Sequence, residues 1–159
     1  MAEHWSQLIM YIYNNISVMP SEVYLMWQQY PWPWGDLACD AKIVITETII
    51  YASILTIVAF SCERYLAICQ PLSPLSRSSL GGAKKMILLI WLISLVSAAP
   101  WSWFTKVNYL EYNGTILTQS AWCSIPFNEE TSGSLYIMLG STTIYFITPL
   151  CVVSLLYYR

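Results

Sequence analysis

The chain has 159 residues and a net charge of −2; 57% of its residues are hydrophobic and only 10% are charged, where a soluble domain carries about 25% charge. That deficit argues against an ordinary soluble domain and points to lipid. No basic patch interleaves with aromatic residues, which argues against nucleic acid as a partner.

The first forty residues are mixed. "LIMYIY" is a short apolar run, and Asn14, Asn15, Ser17, Pro20, Ser21 and Glu22 follow it. It is too short to span a bilayer, and no Lys or Arg precedes it, so it lacks the basic flank of a signal peptide. It reads as an extracellular or interfacial lead.

Ile43 to Cys62 is twenty residues with a single charge, Glu47. About 20 predominantly apolar residues cross a bilayer as a helix. A carboxylate inside such a span is expensive and should face the bundle or a water-filled cavity. Glu47 comes eight residues after Cys39, about 12 Å along a helix. That depth suits the floor of a pocket open to the outside, where a cationic ligand group would form a charge-assisted pair with it. The alternative is a protonated Glu bonded to a neighbouring helix.

The same block ends in "CERYLAICQPL". Arg64 comes 25 residues after Cys39, about 37 Å along the axis, which places it at the opposite mouth. Sequence neighbours do not face each other on a helix, so Glu63 and Arg64 pair only if the Arg side chain folds back. Charges snorkelling into headgroups are the alternative.

Met86 to Phe104 is nineteen residues without a charge. It shows no polar face of the kind a buried helix of a soluble protein keeps. After it, "KVNYLEYNGTILTQSAW" places β-branched and aromatic residues on both sides of Asn113-Gly114. Asn-Gly suits the two central positions of a tight hairpin, both of which need positive φ. The expectation is a β-hairpin over the mouth of the bundle; the alternative is an unstructured glycosylated loop. Leu135 to Tyr158 is twenty-four residues, again without charge, and is the third span.

Lys and Arg collect on cytoplasmic loops. Arg64, Arg77, Lys84 and Lys85 lie between the first and second spans and Arg159 follows the third, whereas Lys106 stands beside Glu111, Glu129 and Glu130. The N-terminus is therefore expected outside and the C-terminus inside. The glycosylation signals Asn113-Gly114-Thr115 and Asn15-Ile16-Ser17 both fall outside in this topology. Cys39 and Cys123 fall on the outer side, where disulfides persist. Cys62, Cys69 and Cys151 fall in the membrane or at its inner face. The five cysteines then divide into one outer bridge, Cys39–Cys123, and three free thiols; two free outer cysteines are the alternative. No span carries a His cluster, a paired carboxylate or a nucleophile–base arrangement. A membrane enzyme or transporter is therefore disfavoured, and neither cofactor nor metal is expected.

The order of "WPWGDLAC", "CERYLAICQPL", Trp91, Pro100, Cys123 and "TPLCVVSLLYY" resembles a class A (rhodopsin-like) G-protein-coupled receptor, helices three to five of seven. Within it, "SEVYLMWQQYPWPWG", "YASILTIVAFSCERYLAICQPL" and Glu47 are similar to the insect capa/pyrokinin and vertebrate neuromedin U receptors. The resemblance covers roughly Met19 to Arg159 and implies an all-α membrane protein, a partial seven-helix bundle with an extracellular hairpin. It divides the chain into an outer segment with part of helix two (1–38), helix three (39–70), an inner loop (71–84), helix four (85–104), an outer loop (105–134) and helix five (135–159).

It also implies roles. Cys39–Cys123 would tie helix three to the second outer loop, and Trp32 would pack the first outer loop on the top of helix three. Glu47, with Tyr51, would hold an arginine of a C-terminally amidated peptide ending Pro-Arg-X-amide. In the Glu63-Arg64-Tyr65 triplet, Arg64 would be the switch, held by Glu63 at rest and turned to the G protein when active. Leu72 would fill a slot on the G protein. Pro149 would distort helix five and leave the Tyr145 carbonyl without its usual partner, and Tyr157 would meet Arg64 in the active state. Trp91 is a structural aromatic. The partners implied are a neuropeptide, a heterotrimeric G protein, membrane lipid and, in a dimer, a second receptor, all at the plasma membrane.

Cys69 is a palmitoylation candidate, and Ser73, Ser76, Ser78 and Ser79 are phosphorylation candidates. Against the family pattern, helices one, six and seven are not visible. The expectation is a receptor fragment that does not signal alone; the competing reading is a truncated, non-signalling protein that associates with the full-length receptor.

Overall fold

The computed structural model describes residues 19–28, 30–69, 80–125 and 132–158. Three stretches are long and apolar enough to cross a membrane: Gly35–Cys69, Gly82–Phe104 and Gly133–Tyr158. Along the chain, α1 (Met19–Trp27) leads into α2 (Gly35–Cys69), then α3 (Leu80–Ala98) and a single turn, α4 (Trp101–Phe104). Strands β1 (Lys106–Tyr112) and β2 (Thr115–Ser124) follow, then α5 (Ser132–Thr142), a π-helical turn (Thr143–Ile147) and α6 (Thr148–Tyr158).

In hydrocarbon a helix satisfies its own backbone, and these helices also satisfy their hydroxyls. The side chains of Thr48, Ser53, Thr56, Ser61 and Ser94 each donate to the carbonyl four residues earlier, at 2.6–2.9 Å. Such back-bonding mildly weakens helices in water; in lipid it removes an unpaired donor. The outward faces are apolar: Ile57, Leu88, Val96 and Leu155 are all exposed. Buried polar surface is concentrated where helices meet.

Contact between α2 and α3 rests on small residues. Ala52 and Ser94 are fully buried, and Ile90 packs on Ala52 with Leu55, Ala59, Met86 and Trp91 around it. Small side chains let helix backbones approach closely, the main source of packing energy in lipid. Trp91 is thus a packing residue here. A separate cluster of Tyr51, Ala98 and Tyr145, with Val44, Ile54 and Leu55, joins α2 and α3 to the third span.

The hairpin end is held differently. β1 and β2 form an antiparallel hairpin, with Tyr112 opposite Thr115 across the turn. Asn113 and Gly114 take φ of 51° and 76°, the conformation that this dipeptide tolerates at low cost. Further in, the register slips between Asn108 and Leu110. There Ser120 takes the place of a backbone partner: its hydroxyl accepts from the Leu110 N–H at 2.8 Å and donates to the Leu117 carbonyl at 2.6 Å.

Three links dock this hairpin on α2. The Cys39–Cys123 disulfide closes a sequence separation of 84 with a Cα–Cα distance of 5.6 Å. The Trp32 N–H donates to the Ala121 carbonyl at 2.8 Å, while its indole donates to the Gly35 carbonyl at 2.9 Å. The Asp36 carboxylate accepts from the Val107 N–H at 3.3 Å. Trp32, Cys39 and Ala121 form one buried cluster.

A disulfide closing a long loop stabilises by about 2–5 kcal/mol. Cys39→Ser is therefore expected to reduce the amount of folded protein at the cell surface several-fold, with Cys123→Ser equal to it and the double variant no worse. Flow cytometry of an epitope-tagged chain measures this; strictly additive losses would contradict the bridge as the shared cause.

Candidate functional site

Glu47, Tyr51 and Ile54 recur at i, i+4 and i+7, so they share one stripe of α2. They line a cavity of about 360 Å³ whose other walls are Trp101 from α4 and Met138, Ser141, Thr142, Tyr145 and Phe146 from the third span. The lining is mostly apolar and aromatic. Glu47 is its only carboxylate and is half-buried. Among the described residues no Lys or Arg forms an ion pair with it.

Below Glu47 the cavity is closed by stacked rings. Tyr51 and Tyr145 lie face to face, with centroids 4.0 Å apart and planes 16° from parallel. Both are buried. The Trp101 indole donates to the Tyr51 hydroxyl at 2.9 Å, and the Tyr145 hydroxyl donates to Ser97 Oγ at 2.5 Å. The floor therefore draws on all three spans. The Tyr51 hydroxyl also interacts with the side chains of Ser141 and Glu47.

Tyr145 reaches this position through the π-helical turn. Pro149 has no N–H, so it cannot bond the carbonyl of Tyr145, four residues earlier. Just before it the helix widens: the Thr148 N–H bonds the Thr143 carbonyl, five residues back, and the Thr148 hydroxyl donates to the same oxygen at 2.9 Å. A π turn accommodates one extra residue and so re-aims the side chains around it. Tyr145 is the residue of this turn that is buried.

A second cavity, about 450 Å³, lies near the hairpin, lined by residues including Glu22, Trp32, Lys42, Trp122 and Cys123. Here the charges are already matched: Lys42 Nζ lies 3.0 Å from Glu22, with 27% and 45% of the two side chains exposed. A pair so exposed contributes about 0–1 kcal/mol. It links α1 to α2 without leaving a charge for a ligand.

At the other end of α2, Arg64 is exposed and Glu63 and Tyr65 are half-buried. Tyr157, near the end of α6, is 76% exposed. Among the described residues no hydrogen bond joins it to Arg64. Asn113 is exposed at the hairpin turn. Cys62 is a half-buried free thiol, and Cys69 and Cys151 are exposed ones. Leu72, Asn15 and Ser73, Ser76, Ser78 and Ser79 lie outside the described residues.

Sequence reasoning had no access to Trp101 and Ser141 as cavity residues, to Ser97 as the partner of Tyr145, nor to the Glu22–Lys42 pair. Trp101 reads in sequence as one aromatic among several after Pro100, and only the packing of α4 onto α2 brings it to Tyr51. The Tyr145–Ser97 bond crosses two spans, where such bonds contribute roughly 0.6 kcal/mol and at most about 1.7. Tyr145→Phe keeps the stack and should lower stability in detergent by about 1 kcal/mol, read from thermal unfolding. Tyr145→Ala, which also removes the stack, should cost more than twice that.

The chain matches the family described as 7 transmembrane receptor (rhodopsin family) over residues 8–159. It is 35% identical over 139 residues to the growth hormone secretagogue receptor type 1 of Rattus norvegicus, covering 87% of this chain and 38% of that receptor. It is 30% identical over 141 residues to neuromedin-U receptor 2 of Mus musculus, covering 88% of this chain and 35% of that receptor. The chain thus spans less than two-fifths of these relatives. The family is one of receptors, not of enzymes. Three membrane-length helices, a hairpin bridged to the first of them and a match across nearly the whole sequence lead to one conclusion: the chain belongs to the rhodopsin-like (class A) seven-transmembrane receptors, of which it forms a partial bundle.

Proposed function

We propose that this chain is the ligand-reading and switch-bearing portion of a neuropeptide receptor of the plasma membrane, with its N-terminus outside, that signals to a heterotrimeric G protein. The observation that carries this reading is the cavity itself: a single carboxylate, Glu47, in an aromatic and apolar wall, with no cationic side chain among the described residues paired to it. An acid inside a membrane span is costly and is retained for function by default. The names of the relatives, a secretagogue receptor and a neuromedin-U receptor, support a secreted peptide as the ligand.

The ligand is an amidated peptide ending Pro-Arg-X-amide, and its arginine enters the cavity. A guanidinium meets a carboxylate through two parallel hydrogen bonds, and Tyr51 borders the same cavity one helical turn from Glu47. C-terminal amidation removes a negative charge that Glu47 would otherwise repel.

At the inner end, Arg64 is the switch, Glu63 its resting partner, and Tyr157 its partner in the active state. The exposure of Arg64 at the end of α2 supports a surface that a G protein reads. Leu72 and Tyr65 belong to the same contact. Asn113, exposed at the tip of the hairpin, is a glycan acceptor on the outer side. Membrane lipid surrounds the spans, and a second receptor copy is a further partner.

Glu47→Gln keeps the shape of the side chain and removes its charge. Losing one partner of a buried charge pair costs about 2–5 kcal/mol, so affinity for a synthetic peptide ending Pro-Arg-Leu-amide should fall at least thirtyfold, at roughly 1.4 kcal/mol per tenfold. Unchanged affinity in a radioligand competition assay would remove Glu47 from the site. Arg64→Ala should abolish G-protein activation while surface abundance and peptide affinity persist. Continued nucleotide exchange on the G protein would reduce Arg64 to a snorkelling charge.

A further inference from the structure

Trp101 borders the cavity, and its indole makes one directed polar contact there: its N–H donates to the Tyr51 hydroxyl at 2.9 Å, with both rings buried. An indole N–H is a donor only. It therefore occupies a lone pair of the Tyr51 oxygen and obliges that oxygen to act as an acceptor towards α4. The phenolic proton must point elsewhere. The Tyr51 ring itself cannot readily swing, because it is stacked on Tyr145 at 4.0 Å.

Among the described residues, Ser141 and Glu47 line the same cavity as Tyr51 and interact with its hydroxyl. Glu47 is one helical turn away on the same face of α2, the spacing at which side chains meet. An ionised carboxylate is an acceptor only, and a hydrogen bond to it is about twice as strong as one to a neutral group. The proton that Trp101 turns away from α4 is thus best received by Glu47.

We propose that Trp101 is a positioning residue: acting through Tyr51, it orients the Glu47 carboxylate so that its free lone pairs match a two-pronged donor, a guanidinium, in preference to a single-point ammonium. The inference rests on the reading of Glu47 as the ligand's anchor and adds what sets its selectivity. Guanidinium presents its donors in a fixed planar fork, whereas ammonium is a rotatable point charge. A carboxylate free to turn would favour neither strongly. One held by the Tyr51 proton favours the fork.

The test uses two synthetic peptides that differ at one position, one ending Pro-Arg-Leu-amide and the other Pro-Lys-Leu-amide. Competition binding is measured on membranes carrying the full-length gene product. The wild type should prefer the Arg peptide. Trp101→Phe should lower that preference about tenfold, the scale of one hydrogen bond to a charged group, with little change for the Lys peptide. Tyr51→Phe, which keeps the ring and its stack, should do the same. Because both act through one path, the double variant should lose no more than either single.

Equal weakening of both peptides, or additive losses in the double variant, would overturn the proposal and leave Trp101 a packing residue. Should Trp101→Phe fail to reach the membrane, Tyr51→Phe decides alone: an unaltered Arg-over-Lys preference in it refutes the relay. Glu47→Gln keeps the two failures apart. If it leaves Arg-peptide binding intact, the anchor itself is wrong; if it weakens binding while Trp101→Phe and Tyr51→Phe keep the preference, only the positioning role is wrong.

Discussion

A polar group without a partner in hydrocarbon costs several kcal/mol, and the three spans are organised around avoiding that cost. Hydroxyls along α2 and α3 fold back on their own helix. Where Pro149 denies the Tyr145 carbonyl its usual donor, the helix widens into a π turn and the Thr148 hydroxyl adds a second bond at the Thr143 carbonyl. Tyr145, the buried residue of that turn, faces inward, where its ring meets Tyr51 and its hydroxyl meets Ser97. The floor of the cavity thus includes a residue of the π turn that precedes Pro149.

At the hairpin end, covalent and directional links hold the structure together. The hairpin cannot rely on a thick core of its own, since Tyr109, Leu110, Tyr112, Ile116 and Leu117 stay exposed, and an isolated hairpin is marginally stable at best. Cys39–Cys123, the two bonds of Trp32 and the Asp36 carboxylate join it to the first turns of α2. Those turns lie on the same continuous helix as Glu47 and Arg64. The hairpin, the cavity and the Glu63-Arg64-Tyr65 triplet are thereby carried by one rod about 50 Å long at 1.5 Å per residue. The contacts of α2 with its neighbours are of two kinds, small-residue packing against α3 and stacked rings against the third span.

Much of this was legible in advance because hydrophobicity is a local property. Three charge-free or nearly charge-free blocks identify the spans whatever their order in space, and Asn113-Gly114 encodes its own turn because few other residues accept positive φ at both positions. The Cys39–Cys123 bridge followed from placing each cysteine on one side of the membrane. Glu47 stood out because an acid in a span is rare. By contrast, nothing in the sequence around Trp101 distinguishes it from Trp103, yet Trp101 is buried against Tyr51 and Trp103 is 77% exposed. The two differ only in which side of a single helical turn they occupy.

By itself, then, the sequence determined what must be in lipid, where the chain turns and which acid is out of place, since each depends on residues close together along the chain. Tertiary structure decided what surrounds that acid. The stack of Tyr51 on Tyr145, the bond from Trp101 and the bond to Ser97 join residues 48 to 94 positions apart. Their geometry depends on helix rotation and on one extra residue in a π turn. Side-chain direction changes by about 100° per residue on a helix, so the face that meets the cavity is set by packing between spans and not by the composition of any one of them.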